Sequence, residues 1–209
     1  RARAPHHLID VVEPHEGMDA ARWAELADDA IDEVKSRGKR PIVCGGTFLW
    51  VRALLLGLAE APPADPAIRR RHREWAEQGG RAALHEALGK VDAASAARLN
   101  PNDFVRVSRA LEVYELTQIP LSQWQERHAF RTVRHRARLL GVLHEPRELD
   151  LRMAQRVQAM LAAGWVDEVR ALMASGHAEA RAMRSVGYRQ IASALGSGPV
   201  DVPALSDEI

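Results

Sequence analysis

Gly45, Gly46 and Thr47 follow the apolar run at 41–44 and precede a helical pattern. Two glycines let a backbone come close to a ligand, and a threonine hydroxyl can hydrogen-bond it beside the free amides of a helix N-terminus. The same residues also suit an ordinary strand-to-helix turn capped by threonine. Further along, Arg106 and Arg109 stand three apart in NPNDFVRVSRALEVYEL and share a helix face. Such a pair can hold successive phosphates or stack on an unpaired base. Taken alone, the spacing favours instead a solvated face paired with Glu112 or Glu115. Arg152 and Arg156, four apart with Arg147 just before them, could take a diphosphate in competition with Glu148 and Asp150.

Other chemistry-bearing types point to less. His6 and His7 are adjacent, so in a strand they face opposite ways and do not chelate one metal. No Cys/His spacing resembles a zinc site, and no metal ligand is expected. Cys44, at mid-strand, is expected buried and inert. Trp124 is the tryptophan best placed for exposed stacking. There is no G-x-x-x-x-G-K-[ST] phosphate loop in the chain.

The elements that must position these residues alternate at first. Residues 7–12 (HLIDVV), 41–46 (PIVCGG) and 137–143 (ARLLGVL) are short apolar runs that predict buried strands. A helix is expected from Asp19 as cap to Ser36, and another from Thr47 to about Gly57. Strand, helix, strand, helix predicts an α/β fold with a parallel sheet. Past residues 61–66 (APPADP) the pattern turns helical: 67–78, 81–88, 93–99, 104–116 and 121–128. Helices follow again at 147–163, 165–175 and 185–195, and Ser206 is expected to cap a last one. The domain reading is a core of residues 1–62 and 130–209 carrying a helical insertion at 63–129.

The 209 residues suffice for one large domain or a core with an insertion. Net charge is +1, but arginines cluster at 68–73 (IRRRHR) and 127–138 (RHAFRTVRHRAR). One cysteine excludes an internal disulfide framework and suits a reducing cytoplasm. No apolar run approaches the roughly 20 residues that span a bilayer. The N-terminus lacks the pattern of a signal peptide. Both ends read as cut, since the chain starts at Arg1 and stops at Ile209 inside a helical pattern.

Taken together, PHHLID (5–10), PIVCGGTFLWVRALLLGL (41–58), PPADPAIR (62–69), NPNDFVRVSRALEVYELT (100–117) and RSVGYRQI (184–191) resemble the tRNA dimethylallyltransferase family, in its order and spacing. The resemblance covers essentially the whole chain. It implies a phosphate-loop, nucleoside-kinase-like parallel sheet core, incomplete here, with an all-helical insertion gripping the tRNA anticodon stem-loop. It implies dimethylallyl diphosphate as donor, Mg2+ as cofactor, and alkylation of N6 of a flipped adenosine, because a stacked base hides that nitrogen. Thr47 is then a catalytic position contacting the tRNA near the reacting base. Arg69 and the segment Val105, Arg106, Val107, Ser108 and Arg109 match further tRNA contacts. Gly45, Gly46, Arg152 and Arg156 remain diphosphate candidates. Phe48 and Trp50 depart from the family's small residue and tyrosine.

By the same resemblance the phosphate loop and the aspartate base lie upstream of Arg1, and a basic helix lies beyond Ile209. These residues alone are therefore expected to be inactive, with exposed edges and apolar surface. A cytoplasmic monomer without a membrane partner is expected. The rival readings are a non-catalytic RNA-binding module, a prenyltransferase acting on free adenine nucleotides, and a small-molecule kinase.

Overall fold

A computed structural model describes residues 4–209. The chain forms two compact units: one holds the segment up to Pro41 together with Ala137–Ile209, the other holds Ile42–Arg136.

In the first unit α1 (Ala20–Ser36) starts where Asp19 accepts hydrogen bonds from the amides of Ala21 and Arg22. That satisfies two of the four donors a helix start leaves open. In the second unit come α2 (Phe48–Leu56), α3 (Pro66–Val91), α4 (Ala93–Arg98), α5 (Phe104–Thr117) and α6 (Leu121–His128). The first unit resumes with α7 (Pro146–Ala162), α8 (Trp165–Ala174), a 3-10 turn at Arg181–Arg184, α9 (Tyr188–Ser197) and α10 (Val202–Glu208). No helix among the described residues is long and apolar enough to cross a membrane.

No strand occurs among the described residues, so the parallel sheet expected from the three apolar runs is not seen within either unit. Backbone N–H and C=O groups of a strand need a ladder partner, and none of the three runs has one here. Their side chains stay in water accordingly, with Ile42 87% and Leu143 94% exposed. Cys44 is exposed for the same reason, not buried in a strand.

The two expected helices, 67–78 and 81–88, are found as the two segments of α3, which meet at a kink at Gly80, whose φ of 78° only glycine adopts without strain. The expected helix at 185–195 begins later, at Tyr188, because Gly187 (φ 87°) is its cap. Ser206 lies inside α10; its cap is Asp201, which accepts from the Ala204 amide. Thr47 does occupy the N-cap of α2, though its side chain makes no capping bond.

Two apolar clusters hold the units together internally. In the second unit, Leu84 and Leu88 of α3 pack with Val107, Ala110 and Leu111 of α5. In the first, Leu161, Trp165, Val169, Met183, Ile191 and Leu205 join α7 to α10. Each fully buried leucine stabilises by about 1.5–3 kcal/mol.

A buried carboxylate ties the short helices together. Asp92 caps α4 by accepting from the Ser95 amide at 3.0 Å, and its other oxygen accepts from the Ser122 amide of α6 at 3.0 Å. Burial opposes its charge, but the bonds from Ser122 and Ser95 outweigh it and hold the carboxyl below the usual aspartate range. Asp92→Ala is expected to cost about 2 kcal/mol, because it removes a cap and orphans two amides. An unchanged urea midpoint in the full-length protein would refute this.

Candidate functional site

The site is built where the first half of α3 lies along α5. On α5, Ser108, Glu112 and Glu115 fall at positions i, i+4 and i+7, so all three face one way. On α3, Ile68 and His72 are buried one turn apart, with Arg69 beside them. Asp65 caps α3 through the Ala67 and Ile68 amides.

Glu112 is the centre of this contact and is fully buried. Its Oε1 accepts from the Asp65 amide at 2.7 Å and from Arg69 Nε at 2.9 Å. Its Oε2 accepts from a terminal nitrogen of Arg69 at 3.1 Å and from one of Arg109 at 2.6 Å. Arg109 also donates to the Pro62 carbonyl at 2.6 Å. Burial opposes ionisation of Glu112, but the Arg69 and Arg109 bonds, the Asp65 amide and the Arg69 charge together hold its carboxyl below the usual glutamate range.

A second carboxylate repeats the pattern one turn on. Glu115 takes an ion pair from Arg71 on one oxygen and, on the other, a bond at 3.0 Å from His72 Nε2. His72 is fully buried, and its Nδ1 meets Ser108 Oγ at 2.9 Å.

The residues singled out from sequence are therefore distributed as follows. Arg69 and Arg109 come together, on Glu112. Arg106 and Arg109 do not act as a pair: Arg109 is turned inward, while Arg106 is 75% exposed and loosely paired with Asp103 at 3.5 Å. Val105 is exposed, whereas Val107 and Ser108 are buried. Gly45, Gly46 and Thr47 are all exposed, and a Cβ at either glycine would meet nothing within 4 Å.

In the first unit, Arg152 is bound to Glu148 at 2.7 Å and Arg156 is exposed. Trp124 is half-buried with its indole nitrogen out of solvent, so it is not an exposed stacking residue; Trp75 is more open. Sequence reasoning named Glu112 as a partner for Arg109, which the structure shows, and noted the arginine cluster at 68–73, but it missed Glu112 as a buried hub and His72 and Arg71 as members of the site. The signal was present in Ser108, Glu112 and Glu115 at helical spacing, but only a partner helix shows it to be a buried face. No group of three or more His, Cys, Asp or Glu side chains that could hold a metal ion gathers among the described residues.

The family model for IPP transferase matches residues 1–208. The chain belongs to the IPP transferase family. Two curated relatives are a tRNA dimethylallyltransferase of Sorangium cellulosum, 58% identical over 96% of this chain, and one of Anaeromyxobacter dehalogenans, 50% identical over 93%. The chain spans 64% and 65% of those relatives' own lengths.

Solved IPP transferase structures are similar as well. The tRNA isopentenylpyrophosphate transferase of Bacillus halodurans matches 99% of this chain and 65% of its own at 29% identity, with a TM-score of 0.59. A eukaryotic dimethylallyltransferase acting on tRNA, at 24% identity, shares the fold with a TM-score of 0.79 over 100% of this chain and 53% of its own.

Proposed function

We propose that the full-length protein is a cytoplasmic, monomeric tRNA dimethylallyltransferase. It transfers the dimethylallyl group of dimethylallyl diphosphate to N6 of the adenosine 3′ to the anticodon, in tRNAs reading codons that begin with U. The observation that supports this reading is the α3–α5 face, where Arg69 and Arg109 rest on the buried Glu112 carboxylate in a chain 58% identical to a relative of that name. Arginine on a fixed carboxylate offers phosphate a charge with little left to order.

In the reaction the adenosine nitrogen attacks the allylic carbon, the carbon–oxygen bond to diphosphate breaks, and the nitrogen loses a proton to a base. By the family resemblance an aspartate base and a phosphate loop serve that step in the full-length enzyme; no phosphate-loop motif occurs in this sequence. This chain's share is to hold the RNA. Thr47, with its hydroxyl unused as a cap, can contact the flipped nucleotide, and Gly45 and Gly46 leave the neighbouring backbone open. Arg69 and Arg106 present charge to the stem-loop, and Val105 presents an apolar contact. Arg152 and Arg156 stay candidates for the diphosphate. Mg2+ belongs to the proposal as a companion of the diphosphate. The described residues do not gather a site for it, so no step is assigned to it.

The test supplies the full-length protein with labelled dimethylallyl diphosphate, Mg2+ and unmodified tRNA carrying adenosine just after the anticodon. Label should enter the tRNA and not free AMP. Thr47→Ala is expected to lower kcat/KM for tRNA about a hundredfold, in the range of losing one well-placed contact in the transition state. Label in AMP alone would move the protein to the free-nucleotide enzymes. RNA binding without transfer would make it a binding module.

A further inference from the structure

Four polar residues of the α3–α5 contact lie outside the reaction as described: Ser108, His72, Glu115 and Arg71. They form an unbroken chain from the middle of α5 to the surface of α3. Ser108 is almost fully buried, His72 wholly so, Glu115 half-buried, and Arg71 61% exposed. A carboxylate only accepts, so the His72 proton facing Glu115 is on Nε2; in the neutral ring Nδ1 then accepts from the Ser108 hydroxyl. Both oxygens of Glu115 are thereby fixed, one by His72 and one by Arg71.

We propose that Ser108, His72 and Glu115 form a relay, buried at Ser108 and His72, that holds Arg71 at the surface as an RNA phosphate contact, with His72 as a positioning residue. This rests on the reading of the α3–α5 face as the RNA-binding surface and adds a contact to it. The chemistry parallels Arg69 on Glu112, one turn away. Glu112 binds Arg69 through Nε and a terminal nitrogen, and Glu115 binds Arg71 through one terminal nitrogen, while both guanidinium side chains remain open to solvent, at 44% and 61% exposed. A free arginine loses several rotors when it meets a phosphate, and one already held loses less. Ser108 belongs to the segment matched to tRNA contacts, but its hydroxyl faces His72 and its side chain is out of solvent. Its effect on RNA therefore runs through Arg71.

A double-mutant cycle on the full-length protein tests this, reading the affinity for an anticodon stem-loop RNA over a range of salt. Arg71→Ala is expected to weaken binding roughly fivefold and to reduce the slope of log K against log salt by about one, the loss of a single phosphate contact. His72→Leu should do nearly the same. The two together should be no more than about twofold weaker than either alone, because His72 acts through Arg71. His72→Gln, which can bridge Ser108 and Glu115, should restore most of the affinity. If His72→Leu does not fold, Ser108→Ala takes its place in the cycle.

Unchanged affinity in Arg71→Ala overturns the proposal, as does full additivity of the two substitutions. So does a wild-type protein that binds no RNA. Should the wild type bind RNA without transferring the prenyl group, the enzymatic reading fails and the relay stands or falls on the cycle alone.

Discussion

Gly187→Ala is expected to destabilise the first unit by about 4 kcal/mol, the sum of a strained backbone and an overfilled core. Gly187 has φ 87° and ψ −58°, which an L residue adopts only under strain. A Cβ there would stand 2.0 Å from Cη2 and 2.2 Å from Cζ2 of Trp165. The indole cannot retreat easily. It is buried among Leu161, Val169, Met183 and Ile191, and its ring meets Tyr188 edge-on at 5.6 Å. Tyr188 is itself tethered, its hydroxyl donating to Glu168 at 2.5 Å. The glycine also starts α9, its amide donating to the Gln190 side chain at 2.8 Å. In the full-length protein, tryptophan fluorescence followed through urea should show an earlier midpoint with an altered native signal from Trp165. A midpoint within experimental error of the wild type would show that the Trp165 pocket is looser than its packing implies.

Glu112→Gln is expected to lower stability by about 3 kcal/mol, near the lower end for breaking a buried ion pair. Arg69 is 44% exposed, so water screens its share; Arg109 is less exposed and loses more. For a chain of this size the loss corresponds to a fall in Tm of roughly 8 °C. The amide can keep the Asp65 bond or one arginine bond, but it cannot serve all four donors. Because the Glu112 carboxyl is held below its usual range, its contribution is fully present above the ordinary glutamate value. It is lost as pH falls through the depressed one. The acid limb of stability against pH should accordingly be shallower in Glu112→Gln than in the wild type. Parallel acid limbs would mean that the Glu112 carboxyl is not held below its unfolded-state value. RNA affinity should fall too, since Arg69 loses its support, and this loss should shrink at high salt.

The sequence alone determined most of the helices, because each carries its own signals. Asp19, Asp65, Asp92 and Asp103 precede helices and cap them, and Gly57 and Gly80 end or break them at positive φ. The family, too, was legible, since its motifs are strings of residue types in order. Arginine at 69, 106 and 109 was visible as potential phosphate chemistry for the same reason. What only the tertiary structure decided is which of these arginines faces outward. Arg106 and Arg109 are three residues apart and alike in sequence, yet one points to water and the other to Glu112 and Pro62.

The buried His72 and its partners were hidden because a polar residue's burial depends on the helix packed over it, not on its neighbours in the chain. The apolar runs at 7–12, 41–46 and 137–143 show the complementary limit. Their composition specifies strands, but a strand exists only as part of a ladder, and among the described residues none is formed. A helix satisfies its backbone within its own segment and so can be read locally; a sheet, and a face where two helices meet, cannot.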